Sequence, residues 1–228
     1  MATNQEYMRN SKPLFIYDRD GTLQSFLSYA WALTRKEEMS DISQKDFKEQ
    51  NFNEATALLP GMIDLVRFTA SLGYNVLVSD GDPLEHCSNL RALQEYFQQW
   101  KFNGKDVLWG SSPEHLSKVS RVVAKGLVDY FRPSQIIVIG DSLDDYVLAL
   151  HLSYFAKLSA KKNHHPAPSV ITLLRKGPQH ESALNCEVPL ITAETSAQMK
   201  QIIQQLVANP NTPNVAALVA EHNRNPQR

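Results

Sequence analysis

Two short acidic clusters each follow directly on an apolar run. The segment LFIYDRDGTL at 14–23 places Asp18 and Asp20 at the end of a run that reads as a buried strand. Alternate residues leaving a strand project the same way, so both carboxylates can converge at its carboxyl end. Close carboxylates repel each other, and a cation or a shared proton must offset that. The segment VIGDSLDD at 138–145 supports the cation, because Asp141, Asp144 and Asp145 leave a second strand at the same edge. Hard oxygen donors from two adjacent strand ends suit magnesium, with waters completing its octahedron. Such an ion neutralises and orients a phosphate. Gly21 permits a tight turn beside the acids, and Thr22 can hydrogen-bond locally to hold it.

The elements that must carry these residues are legible from hydrophobic patterning. Apolar runs at 13–17, 75–79, 106–110, 135–140, 169–177 and 188–192 read as strands, the third more weakly than the others. They are continuous rather than alternating, which suits strands covered on both faces. Helical periodicity fills 61–72, 84–99, 113–131, 143–155 and 196–208, and Ser112-Pro113-Glu114 reads as the start of the third of these. Strand–helix alternation predicts a doubly wound, Rossmann-like α/β fold, a mainly parallel sheet with helices on both faces. The expected organisation is an N-terminal tail at 1–12, one domain over 13–208, and a peripheral helix or linker at 209–228.

Composition narrows the function classes. The chain has 228 residues and a formal net charge of −1, which gives no bulk electrostatic case for nucleic acid or a membrane surface. The only cysteines, Cys87 and Cys186, form neither a disulfide framework nor a zinc-site spacing. Leu93 and Thr192 stand six residues after them, so the Cys-x5-Arg phosphate loop of cysteine-based phosphatases is absent. No signal-peptide run or bilayer-spanning stretch is visible, and the expectation is a soluble, cytoplasmic protein.

The chain resembles the haloacid dehalogenase superfamily. DRDGT at 18–22 is similar to its first motif, Asp-x-Asp-Gly-Thr, and GDSLDD at 140–145 to its fourth, Gly-Asp-x-x-x-Asp. Ser79, closing NVLVS, fits the second motif. Lys118 fits the third, with Lys125 the runner-up. Leu59-Pro60-Gly61, opening a helix, is also usual in the family. The four motifs fall in order over residues 13–176, each at an expected strand end or helix start.

The resemblance implies a fold, a cofactor and a set of roles. Asp18 attacks phosphorus and becomes an aspartyl phosphate, and Asp20 acts as general acid and then base. Ser79, Lys118 and Thr22 hold the phosphoryl group. Asp18, Asp20 through its backbone carbonyl, Asp141 and Asp145 form the magnesium set, with Asp145 and Asp144 acting through water or by fixing Lys118. Asp20 favours phosphoester hydrolysis over dehalogenation, since dehalogenases of this fold lack that acid. The cap insertion of the family is reduced here to residues 24–57, a flap. Minimal caps leave an open site and often accompany bulky substrates, so the expected substrate is a phosphoprotein, with phosphotyrosine foremost. A sugar or nucleotide phosphatase is the alternative, and a silent interaction module on the same fold is the alternative from another class.

Plainer readings stand beside these. Asp80 and Asp82 read as turn residues, and His164 and His165 as solvated loop residues. Trp31, Trp100 and Trp109 read as packing residues, Cys87 as an unreactive thiol, and Arg19 as a structural ion-pair partner pointing away from the acids.

Overall fold

The computed structural model describes residues 11–19, 21–24, 58–78, 93–107, 117–175 and 188–210. Five strands form one sheet: β1 (Leu14–Tyr17), β2 (Tyr74–Leu77), β5 (Gln135–Gly140), β6 (Ser169–Arg175) and β7 (Leu190–Ala193). Their order is β2-β1-β5-β6-β7, and every pairing is parallel. Two shorter strands, β3 (Trp100–Phe102) and β4 (Lys105–Val107), form a separate antiparallel hairpin. The helices are α1 (Met62–Leu72), α2 (Arg121–Phe131), α3 (Leu143–Asn163) and α4 (Ser196–Ala208). None is long and apolar enough to cross a membrane.

Strand alternation divides the core into two layers. Phe15, Tyr17, Ile137, Ile139, Ile171 and Leu173 face α1 and α4, where Leu65, Val66, Met199 and Ile203 meet them. Leu14, Ile16, Val76, Ile136 and Val138 face α2 and α3 instead, against Val123, Leu127, Leu148 and Leu152. Both faces of β1 and β5 are therefore dry, which is why these strands read as unbroken apolar runs. This is the doubly wound sheet expected from the strand–helix alternation.

Sheet order sets the place of the site. From β1 the chain passes to β2 on one side, whereas β5 lies against β1 on the other. Adjacent carboxyl ends whose connections diverge leave a crevice, and open α/β sheets bind ligands there. Asp18 follows β1 and Asp141 follows β5, so the two acidic clusters flank that crevice.

Several boundaries differ from the sequence expectations. The described part of the 106–110 run, 106–107, belongs to the hairpin, not the main sheet, because Asn103 and Gly104, both at positive φ, turn it back onto Trp100–Phe102; the rest lies outside the described residues. Within 84–99 the described part holds only a 3₁₀ turn at Gln94–Tyr96. Helix α2 begins at Arg121, where Ser120 accepts a hydrogen bond from the Val122 N–H at 3.2 Å. The Ser112-Pro113-Glu114 signal lies outside the described residues. Helix α3 runs on to Asn163 and closes on His164 in the left-handed region, beyond the expected end at 155.

Residues 25–57 and the expected tails, apart from their described edges, lie outside the described residues. The root of the insertion is described. Gln24 and Leu58 form an antiparallel bridge, and the Leu59 N–H donates to the Leu23 carbonyl at 2.8 Å. The chain therefore leaves and rejoins the domain at one point.

Candidate active site

Backbone pairing fixes the first acid. The Asp18 N–H donates to the Ile139 carbonyl at 2.9 Å, which continues the β1–β5 ladder by one residue and sets Asp18 beside the end of β5. The chain then turns sharply. The Leu23 and Gln24 N–H groups donate to the Arg19 carbonyl at 2.9 and 3.1 Å, and the Gly21 N–H donates to the Gln24 carbonyl at 2.7 Å. Gly21 sits at φ 79°, and a Cβ there would lie 1.8 Å from an Asp141 carboxylate oxygen. Only glycine lets the turn press so closely on the second acid.

The second acidic segment is built around Asp145. Its Oδ2 accepts from the Asp141 N–H at 3.1 Å, the Ser142 N–H at 3.0 Å and the Ser142 hydroxyl at 2.8 Å. This ties the end of β5 to the first turn of α3, where the helix dipole also favours a carboxylate. Gly140 makes room for it, since a Cβ there would lie 2.2 Å from the Asp145 carboxyl carbon.

Lys118 closes the arrangement. Its Nζ donates to Asp18 Oδ1 at 2.9 Å and lies 3.1 Å from Asp145 Oδ1, with all three side chains buried. Lys118 lies in the turn preceding Ser120, not inside a helix. The His151 ring, on α3, bonds the neighbouring Val119 carbonyl at 2.8 Å and steadies that turn. Lys125, the runner-up, lies on the exposed side of α2 and pairs with Asp129.

Ligand oxygens of Asp18, Asp141 and Asp145 all lie within 4.8 Å of one another. Two of these carboxylates, Asp18 and Asp145, share the Lys118 ammonium, and this shows in the proton affinities. Burial, then the Asp145 charge, pushes the Asp18 carboxyl well above its ordinary range, against the pull of Lys118. Burial alone would lower the Lys118 ammonium, but Asp18 and Asp145 outweigh it and push it up. Asp18 thus keeps a raised proton affinity even beside a charged lysine. An all-oxygen donor set with excess negative charge fits a hard divalent cation such as magnesium. The Thr22 hydroxyl, fully buried in the same turn, has no hydrogen-bond partner among the described residues.

Protons and the cation should compete here. Asp18 has a folded pKa above its unfolded value, so its contribution to stability is present below the unfolded pKa and is lost as pH rises through the folded pKa. A cation bound to the ionised form restores what is lost. The thermal stabilisation by magnesium relative to chelator is therefore expected to be larger at about pH 8 than at about pH 5. Melting curves at both pH values check this, and an equal shift at both would contradict it.

Other candidates fall elsewhere. Asp20, Ser79, Asp80 and Asp82 lie outside the described residues, as do Cys87, Trp31 and Trp109. Asp144 is exposed on the first turn of α3, where the capping is done by Ser142 and Asp145. Trp100 is buried against Phe102. Arg19 is itself buried. One residue the motif reading passed over stands at the site: Arg175, closing β6, whose Nη1 donates to the Gly21 carbonyl at 3.4 Å. The visible signal is a cation ending an apolar strand at the same sheet edge.

A five-stranded parallel sheet in this order, with acids at the ends of its adjacent strands β1 and β5, defines an open α/β protein with a crevice at its switch point. The fold is that of the haloacid dehalogenase superfamily hydrolases, as the motifs imply. A HAD-hydrolase, YfnB from Bacillus subtilis, described as bound to magnesium, superposes with a TM-score of 0.54 at 13% identity, covering 85% of this chain and 99% of its own. A haloacid dehalogenase-like family hydrolase from Xanthomonas campestris superposes with a TM-score of 0.55 at 13% identity, covering 88% of this chain and 98% of its own. No family model and no curated protein sequence matches the chain.

Proposed function

We propose that this protein is a magnesium-dependent phosphomonoester hydrolase that forms an aspartyl phosphate on Asp18, and that its substrates are phosphoproteins, phosphotyrosine foremost. The observation that carries the reading is the Lys118 ammonium held between Asp18 and Asp145 within the acidic cluster that includes Asp141. A lysine in this position keeps Asp18 aimed and offers positive charge to a phosphoryl group brought against it.

Asp18, Asp141 and the backbone carbonyl of Asp20 would hold magnesium, with Asp145 acting through water or by fixing Lys118. The bound ion supplies charge neutralisation and orientation of the phosphoryl group. Asp18 Oδ forms a bond to phosphorus as the ester P–O bond breaks, and Asp20 gives its proton to the leaving oxygen. Asp20 then takes a proton from water, whose oxygen attacks the phosphorus of the aspartyl phosphate. Inorganic phosphate leaves and Asp18 is restored. Lys118 stays charged throughout, and Ser79 holds a phosphoryl oxygen. The roles of Asp20 and Ser79 rest on the motif resemblance.

The choice of phosphoproteins rests on the short insertion, which suits an open site. The test is a panel of phosphotyrosine and phosphoserine peptides, sugar phosphates, nucleotides and an aryl phosphate, in magnesium and in chelator. Magnesium-dependent turnover with the highest kcat/KM on phosphotyrosine peptides is expected. Sugar phosphates ahead by orders of magnitude would overturn the substrate, and no turnover of any phosphomonoester would overturn the enzyme.

A further inference from the structure

Arg175 is the last residue of β6. The β5–β6 ladder pairs Gly140 with Leu174, so Arg175 stands level with Asp141 at the same sheet edge. By strand alternation it shares the side of Ile171 and Leu173, which face α1 and α4. Lys118, which immediately precedes α2, comes from the other layer. The two cations therefore approach the crevice from opposite faces of the sheet.

Their commitments differ. Lys118 is engaged by two carboxylates. Arg175 is half-buried and makes one long hydrogen bond, to the Gly21 carbonyl, which uses one of five N–H donors. Among the described residues no carboxylate pairs with it. A guanidinium is suited to bidentate recognition of a carboxylate or a phosphate. It also touches the turn from which the 25–57 insertion departs, since Gln24 of that turn bridges to Leu58. Arg175, level with Asp141 and against the Gly21 turn, thus shares one sheet edge with Asp18 and Lys118, where a phosphoester held by its phosphoryl group can extend to it.

We infer that Arg175 is a specificity-determining residue that receives a second anionic group, a carboxylate or a phosphate, carried by the phosphoester substrate. The inference rests on the phosphoryl-transfer reading of the site. It separates Arg175 from the residues that do the chemistry: an ester lacking a second anion is hydrolysed without its help.

Two matched pairs of probes test it and separate a small-molecule source of the anion from a peptide source. One pair is 3-phosphoglycerate and glycerol 3-phosphate, which differ by a carboxylate. The other is a phosphotyrosine peptide with Glu or Gln beside the phosphotyrosine. In wild type the anionic member of at least one pair is expected to be preferred by about 10- to 100-fold in kcat/KM, chiefly through KM, the range of a hydrogen bond between charged groups. Arg175→Gln should abolish that preference, Arg175→Lys, which keeps the charge but loses the bidentate fork, should keep only part of it, and p-nitrophenyl phosphate turnover should stay within about twofold in both variants. A preference absent from both pairs, or equal losses on every substrate in Arg175→Gln, overturns the inference; equal losses would mean that the residue merely braces Gly21. Calorimetric binding of the same pairs to Asp18→Asn and to Asp18→Asn/Arg175→Gln, in magnesium, reads the preference without turnover. Discrimination there with no hydrolysis by wild type sinks the enzymatic reading and spares the role of Arg175. Hydrolysis without discrimination does the reverse.

Discussion

Asp18→Asn is expected to lower kcat/KM toward an aryl phosphate by about 10⁴-fold or more, the scale of deleting a covalent nucleophile. Asparagine matches the carboxylate in size but presents no anionic oxygen to phosphorus. The fold should tolerate the change. Asp18 is buried, and its ionised form is opposed by that burial and by the Asp145 charge. A neutral amide removes both penalties, while Lys118 keeps Asp145 as a partner at 3.1 Å. In chelator the variant should therefore melt at or above the wild-type temperature, and the stabilisation by magnesium should shrink. Acid quench during turnover should show a phosphate-sized mass gain on the wild-type chain and none on the variant. Residual activity within tenfold of wild type would remove Asp18 from the role of nucleophile.

Lys118→Met should damage both stability and turnover. The substitution keeps length and apolar volume but removes the ammonium from between two buried carboxylates. Breaking a buried pair from one side costs about 3–5 kcal/mol, because the remaining charge is stranded. Asp18 already sits above the ordinary carboxyl range with Lys118 present, and without it the shift must grow. With the folded pKa raised further, the variant is most stable at low pH and loses stability as pH rises through that folded value. Its deficit against wild type should thus be small near pH 5 and large near pH 8, as read from urea melts in chelator. Magnesium should recover part of the stability. Turnover should remain down by about 10²–10³-fold even at saturating magnesium, since the charge offered to the phosphoryl group is gone. A deficit independent of pH would mean that Lys118 serves packing alone.

Local signals were strongest where burial is continuous. The 135–140 run and the 196–208 helix coincide with β5 and α4, because both faces of β5 are dry and α4 carries one apolar stripe under a Thr195 cap. The two acidic segments were legible for the same reason, as abrupt polar endings of dry strands. The start of α2 was harder. Several serines precede it, and any can cap a helix, but 117–120 must stay a separate turn, closed by the Ser120 N–H on the Ser117 carbonyl, to lay Lys118 across Asp18. That requirement comes from residues a hundred positions away, which no local pattern encodes. The hairpin was legible in principle, since Asn103-Gly104 lies between Phe102 and Lys105 as a two-residue turn. The placement of Arg175 against the Gly21 turn was not, because it depends on the β5–β6 register.

The rung between Gln24 and Leu58 has a consequence for how such a domain can vary. Departure and return share one doorway, so the sheet does not register how many residues lie between them. Lengthening a tether whose ends are already pinned costs entropy only logarithmically, roughly 0.6 kcal/mol per doubling. The described acids and their lysine belong to the frame, so the length of chain between Gln24 and Leu58 can change without displacing them. That stretch can then drift in length and composition while the buried charge cluster is inherited unchanged.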